Sequence, residues 1–122
     1  MDARATVLAW HAALNAGDVA RLLSLSTEDV EVGGPRGSGR GAALLRDWVA
    51  RAGIQLLPQN VIGTDETLVV EQSACWLDSS GTLTEPQMVA SVFHVVGGQV
   101  ASVLRYGDTA DALSAAGLAA DA

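Results

Sequence analysis

The sequence predicts a single α+β domain over residues 1–122, in which helices come first and antiparallel strands follow. Before Gly53 apolar residues recur at helical spacing, and after it the pattern changes to strands rich in Val, Ile and Leu. The Gly97-Gly98 pair is typical of a two-residue turn between two such strands. Helices followed by hairpin-connected strands, without βαβ alternation, indicate the α+β class.

Three helices are predicted before Gly53. The first spans residues 3–16 and ends at Gly17, and Asp18 is a suitable N-cap for a short second helix. The third runs from about Gly41 to Ala52. The inward stripes of these helices are Val7, Trp10, His11 and Leu14, then Val19, Leu22 and Leu23, then Leu44, Leu45, Trp48, Val49 and Ala52.

The predicted strands begin with a short one at Val30–Val32, which a glycine-rich turn joins to the third helix. Pro58 predicts a kink or an edge position for the strand that contains it. Asp108 is a suitable cap for a last helix over Thr109–Ala116, closed by Gly117. The four later strands are Ile54–Ile62, Thr67–Leu77, Glu85–Val96 and Gln99–Tyr106.

The glycine turn also predicts a register for the last hairpin. An unbroken ladder would pair His94 with Ala101 and Ala90 with Arg105. His94 and Arg105 would then share one face of the sheet and could line one cavity without touching. Both faces of the hairpin are largely apolar, so both need cover. Three helices can cover one face, and a second copy of the chain is the simplest cover for the other.

Composition excludes several classes of partner. The formal net charge is −7 and there is no lysine, which disfavours nucleic acids and anionic membranes. We expect a cytoplasmic protein, since the N-terminus has no signal-peptide pattern and no apolar run reaches the length of a membrane span. Cys75 is the only cysteine, and the two histidines lack ligand spacing, so we expect no metal and no cofactor.

Four side chains are candidates for acid–base chemistry: His11, His94, Glu71 and Arg105. Histidine titrates near neutral pH and suits proton transfer at a cavity, whereas a lone histidine on an apolar helix face is more often a hydrogen-bonded core residue. Glu71 and Gln72 are adjacent in a strand, so one of them points inward, and the sequence leaves open which. An inward Glu71 would need Arg105 or a histidine beside it. Trp10 and Trp48 are core residues or walls of a pocket for a flat apolar ligand.

The glycine-rich segment at residues 37–42 matches the pattern G-x-G-x-x-A of dinucleotide-binding proteins. It lacks their context, because Pro35 and Arg36 separate it from the strand and no second βαβ half follows. The segment is more simply a turn that needs unusual backbone angles and a tight approach to the following helix. A third interpretation is a binding site for an anion at the start of the helix, flanked by Arg36 and Arg40.

The order of elements resembles the nuclear transport factor 2-like superfamily, and within it the SnoaL-like small proteins. The motifs that carry the resemblance are Asn15-Ala-Gly-Asp18, Asp29-Val-Glu-Val32, Arg46-Asp-Trp48, Val95-Val-Gly-Gly-Gln-Val-Ala-Ser102 and Tyr106-Gly-Asp108. The resemblance implies a cone-shaped, curved antiparallel sheet wrapped around three N-terminal helices, also called a cystatin-like roll. It also implies a deep pocket between them and often a homodimer through the outer face of the sheet.

The same family includes polyketide cyclases, ketosteroid isomerases and non-enzymatic binding modules. The isomerases that this chain resembles around Gly33–Trp48 carry a catalytic aspartate on the preceding strand, where this sequence has Val32. An aliphatic side chain cannot abstract a proton, so the chain departs from the isomerase pattern. Glu31 could substitute only if the strand were shifted by one residue.

Two functions therefore follow from the sequence. The first is a pocket protein that binds a small, mainly apolar organic ligand, with or without cofactor-free isomerase, cyclase or hydrolase chemistry. Its pocket would be lined by Trp10, Trp48, Val32 and the sheet, with polar contacts from His94, Arg105 and Glu71 or Gln72. The alternative is a non-catalytic dimerisation or protein-docking module, whose vestigial pocket is filled by side chains.

Overall fold

The structure is a computed structural model that describes residues 2–34, 37–63 and 66–118. Its helices are α1 (Ala3–Ala16), α2 (Val19–Ser24), α3 (Ala42–Ala52) and α4 (Thr109–Ala116). Its strands are β1 (Ser26–Gly34), β2 (Gly37–Arg40), β3 (Gln55–Ile62), β4 (Thr67–Cys75), β5 (Gln87–Val96) and β6 (Gln99–Tyr106). The described strands form one curved, unclosed sheet in the order β2-β1-β6-β5-β4-β3, with the N-terminal helices on its inner face. The predicted α+β roll is confirmed, except that β1 and β6 pair in parallel, so the sheet is not wholly antiparallel.

The helices begin and end where the sequence places their caps. The side chain of Asp18 accepts a hydrogen bond from the backbone N–H of Arg21 at 3.1 Å, and Asp108 accepts one from Asp111 at 2.8 Å. Gly17 closes α1 in the left-handed conformation, with φ of 71°. These local signals explain why the predicted helix limits agree with the structure to within about two residues.

The main core lies between α1 and the inner face of the sheet. Trp10 is fully buried and meets Phe93 of β5 edge to face, with ring centroids 5.3 Å apart. The side-chain amide of Asn15 links the end of α1 to β3 by two hydrogen bonds. It donates to the carbonyl oxygen of Leu56 at 2.8 Å and accepts from the backbone N–H of Leu56 at 2.9 Å. β3 is an edge strand with a bulge between Pro58 and Asn60, in agreement with the position of the proline.

The glycine-rich segment differs from its prediction as a turn. Residues 37–40 form the short strand β2, which pairs antiparallel with β1. The two backbones approach so closely that a Cβ added at Gly33 would lie 2.6 Å from the carbonyl oxygen of Gly37. Gly33 is therefore needed for the close approach of the two strands. The predicted unusual backbone angles are present at Gly37 and Gly41, with φ of 132° and 118°, and a Cβ added at Gly39 would collide with Leu44 of α3. Pro35 and Arg36 lie outside the described residues.

The predicted register of the last hairpin was wrong beyond Val95. Val95 pairs with Val100, but the next pair is His94 with Ser102, so Ala101 is an extra residue in β6. This β-bulge shifts every later partner by one, and Arg105 lies opposite Ser91 instead of Ala90. Arg105 therefore lies on the inner face, and His94 lies on the outer face.

The outer face of the sheet is covered in part by α4. Ala112 and Leu113 of this helix pack against Val69, Ala90 and Val92. The sequence predicted this helix but not the surface it occupies. No helix in the described residues is long and apolar enough to cross a membrane.

Candidate functional site

A cavity of about 490 Å³ lies between α3 and the inner face of the sheet. Its walls come from both ends of the sheet and from one helix, because the sheet curves around this space. The lining is largely apolar, which favours a ligand with substantial hydrocarbon surface. The lining residues are Val32, Gly33, Gly34, Gly37, Leu44, Trp48, Ile54, Leu56, Ser91, Val103 and Arg105.

Arg105 is the charged group of this lining. Its side chain is half-buried, and the structure gives its guanidinium no hydrogen bond or ion pair with another described residue. The stem lies against the backbone of Gly34, where an added Cβ would be 3.9 Å from Arg105 Nε. A cation partly removed from water and left without a partner is costly, and an anion in the cavity would offset that cost.

Ser91 is the second polar side chain of the lining, and it begins a chain of buried hydrogen bonds. Its hydroxyl donates to Oε1 of Gln72 at 2.8 Å, and Nε2 of Gln72 lies 2.8 Å from Nε2 of His11. Nδ1 of His11 lies 2.7 Å from the carbonyl oxygen of Val7, one turn earlier in α1. Gln72 and His11 are at most 1% exposed and lie behind the cavity lining, so these bonds satisfy buried polar groups that water cannot reach.

The environment of His11 keeps its imidazole neutral. Desolvation by burial lowers the pKa of His11, and the hydrogen bond to Val7 only partly opposes this effect. A carbonyl oxygen can only accept, so Nδ1 carries the proton and Nε2 holds a lone pair. Gln72 already donates to that lone pair. His11 is thus a hydrogen-bonded core residue behind the cavity, the simpler of its two predicted roles.

The structure brings three of the predicted site residues to the cavity: Val32, Trp48 and Arg105. Gln72 is the inward member of its pair with Glu71, and it reaches the cavity only through Ser91. Trp10 does not line the cavity. It is buried in the core, where its indole Nε1–H donates to Ser26 Oγ at 3.0 Å.

His94 and Glu71 lie on the other side of the sheet. His94 is exposed, and its Nδ1 is 3.1 Å from the hydroxyl of Thr67. Glu71 accepts hydrogen bonds from Asn60 at 3.1 Å and from Thr109 at 2.8 Å, so it anchors the start of α4. The structure therefore does not bring these two residues together with Arg105.

The suggested anion site at the start of α3 gains no new support. Arg40 lies 3.8 Å from Glu31, on the outer side of the sheet, and Arg36 is outside the described residues. Among the described residues, no three side chains of His, Cys, Asp or Glu are grouped so that they could hold a metal ion.

The fold agrees with a known family in the order of its elements and in the cavity on the inner face of the sheet. A sequence model of the SnoaL-like domain matches residues 7–103. The chain belongs to the SnoaL-like domain family. No functionally curated protein matches the sequence.

Solved structures similar to this SnoaL-like domain share its fold. A nuclear transport factor 2-like protein of unknown function from Cytophaga hutchinsonii has a TM-score of 0.77 and 16% identity, covering 88% of this chain and 91% of its own. A protein from Xanthomonas campestris pathovar campestris, provisionally named a polyketide cyclase, has a TM-score of 0.74 and 22% identity, covering 93% and 96%. TerC, co-crystallised with polyporic acid, has a TM-score of 0.73 and 21% identity, covering 87% and 91%. At these identities the likeness concerns the fold alone.

Sequence reasoning missed Ser91 as a site residue of this SnoaL-like domain. The expected register placed Ser91 and Arg105 on opposite faces, whereas the bulge at Ala101 makes them direct neighbours. Leu44 was expected only in the inward stripe of the third helix, and Ile54 and Leu56 only as part of a strand, although all three line the cavity. A pocket signal for these aliphatic residues is absent from the sequence, because core and pocket lining have the same composition.

Proposed function

We propose that this SnoaL-like domain binds a mainly apolar organic acid, with Arg105 as the counter-ion of its anionic group. The observation that carries the proposal is a half-buried guanidinium without a described partner, in a cavity of about 490 Å³ with mainly apolar walls. Because an arginine fork matches a carboxylate or enolate oxygen pair, such a ligand would satisfy both its charge and its shape.

Binding is better supported than catalysis. Among the described lining residues there is no Asp, Glu or His that could exchange a proton with a ligand. His11 lies behind Gln72 and Ser91, and its Nε2 lone pair already accepts a hydrogen bond. The neighbours called TerC and polyketide cyclase are consistent with organic ligands in this fold. The open cavity also favours ligand binding over a docking module with a filled pocket.

The test is the affinity for 2-naphthoate, measured by isothermal titration calorimetry. Arg105→Met keeps an apolar stem and removes the charge, so affinity should fall about tenfold to hundredfold, the range expected for a charge-assisted hydrogen bond. Arg40→Met is the matched control, since it removes an exposed arginine outside the cavity and should leave affinity unchanged. The neutral 2-naphthamide should bind both proteins equally and more weakly than the acid binds the wild type. Unchanged affinity of Arg105→Met for the acid would reject the proposal.

The predicted homodimer is retained as a second part of the proposal. Met88 and Val96 lie on the outer face beside α4 and are 59% and 56% exposed, which supports a contact with a second copy there. Sedimentation velocity should give the mass of a dimer, and Met88→Glu should shift it toward the monomer. A monomeric wild type would remove this part while leaving the pocket unaffected. The cytoplasmic location remains a prediction from composition.

A further inference from the structure

The hydrogen-bond chain behind the cavity has a fixed direction. It begins at the carbonyl oxygen of Val7, which can only accept, so Nδ1 of His11 must donate to it. With the imidazole neutral, Nε2 is an acceptor, and the amide nitrogen of Gln72 donates to it at 2.8 Å. The amide oxygen of Gln72 is then turned toward Ser91, whose hydroxyl donates at 2.8 Å.

The direction decides what Ser91 can offer to a ligand. A serine hydroxyl has one hydrogen and two lone pairs, and here the hydrogen is used by Gln72. Toward the cavity Ser91 is therefore an acceptor only. Its low exposure, 1%, places it at the floor of the cavity, where a ligand group would meet it without competition from water.

Ser91 and Arg105 face the same region of the cavity. They are direct partners across β5 and β6, on the inner face, and both line the cavity. Residues opposite each other in an antiparallel pair have Cβ atoms only about 5 Å apart. The hydroxyl oxygen of Ser91, which can only accept, thus lies beside the guanidinium of Arg105, which can only donate. A matching ligand carries a hydrogen-bond donor for Ser91 and an anionic acceptor for Arg105.

We propose that the cavity selects hydroxylated or N–H-bearing organic acids, in which the anionic group binds Arg105 and a separate donor binds Ser91. This inference rests on the proposed function, since it assigns the second polar contact of the same ligand. A ligand with an ether or carbonyl oxygen in place of the donor would set two acceptors against each other and bind more weakly.

The experiment compares five acids by calorimetry: 2-naphthoate, its 4-hydroxy and 6-hydroxy derivatives, and the methyl ethers of both. In these isomers the carboxylate is too far from the hydroxyl to capture its hydrogen. At least one hydroxy acid should bind wild type about threefold to tenfold more tightly than both its methyl ether and 2-naphthoate, the gain expected for one neutral hydrogen bond. Ser91→Ala should lose this preference and bind the hydroxy acid no more tightly than its methyl ether.

Two controls separate recognition from folding. Ser102→Ala removes another buried serine of the same hairpin, on the outer face, and should keep the preference. Ser91→Thr restores a hydroxyl and should restore the preference, with circular dichroism melts reporting the fold of each variant. If wild type binds both hydroxy acids no better than their ethers, or if Ser91→Ala keeps the preference, the role of Ser91 is refuted while the Arg105 proposal stands. Absence of binding of all five acids would reject both proposals.

Discussion

Ser91 and Arg105 face each other across β5 and β6, although an uninterrupted ladder from the same hairpin turn would place Ala90 opposite Arg105. The single extra residue Ala101 makes the difference. Because side chains alternate between faces along a strand, a shift of one residue moves Arg105 from the outer face to the cavity. The only charged group described in the lining thus depends on one β-bulge.

Cross-linking tests this register directly. In a Cys75→Ala background, the double variant S91C/R105C should form an intramolecular disulfide on mild oxidation, because directly opposed strand residues have Cα atoms ~4.5–5.5 Å apart. A90C/R105C, which matches the uninterrupted ladder, should not cross-link, since its side chains lie on opposite faces. Mass spectrometry without reduction measures both yields. A higher yield for A90C/R105C would contradict the bulge.

Local signals made most of the fold predictable. Asp18 and Asp108 cap helices, Gly17 ends one, and Gly97-Gly98 forms the expected hairpin turn. Each of these acts over a few residues, so the sequence contains the full information. Their agreement explains why the limits of the helices and of β3 to β6 were predicted to within about two residues, whereas β1 begins at Ser26 instead of the predicted Val30.

The site was less predictable because it depends on register and tertiary approach. Nothing in Val100-Ala101-Ser102 marks a bulge, since no glycine or proline is present there. Which of Glu71 and Gln72 points inward depended on pairing across a long loop. The strand β2 was missed because its glycine-rich sequence is typical of a turn, whereas the absence of a side chain at Gly33 lets these residues pair closely with β1. These features arise from contacts between distant segments, which local patterns do not encode.

Leucine substitutions at the adjacent residues Glu71 and Gln72 compare the contributions of surface and buried hydrogen bonds to the free energy of unfolding. Gln72→Leu would leave the hydroxyl of Ser91 and Nε2 of His11 buried without partners, so the free energy of unfolding should fall by about 2–4 kcal/mol. Glu71→Leu removes partly exposed bonds to Asn60 and Thr109 and should cost about 1 kcal/mol. Urea denaturation measures both. Equal losses would show that the buried hydrogen bonds of Gln72 contribute no more to the free energy of unfolding than the surface hydrogen bonds of Glu71.

His11 should make stability depend on pH. Burial lowers the pKa of His11 in the folded state, whereas in the unfolded chain this pKa stays at about 6.5. As pH falls below that unfolded value, the unfolded state gains a proton that the folded state rejects, so stability declines until pH passes the lowered folded-state pKa. The contribution is at most about 1.4 kcal/mol per pH unit.

The comparison that isolates His11 uses urea denaturation at about pH 7.5 and about pH 5.5, above and below its unfolded pKa. His11→Gln should lose less stability than wild type over this interval, because glutamine does not titrate. His94→Gln changes an exposed imidazole, keeps His11 and should retain the wild-type loss. If His11→Gln loses as much stability as wild type, the folded state accepts the proton without cost, and the lowered pKa of the buried imidazole is wrong.

Trp48 should report occupation of the cavity. It is half-buried in the cavity wall, Trp10 is fully buried against Ser26 and Phe93, and Trp76 is not part of the lining. An apolar acid that absorbs no light at the tryptophan band, such as adamantane-1-carboxylate, should displace water from Trp48 and shift its emission to shorter wavelength. Trp48→Phe should abolish the shift, and Trp76→Phe should retain it. A shift that survives in Trp48→Phe and disappears in Trp76→Phe would place the ligand outside this cavity, near the end of β4.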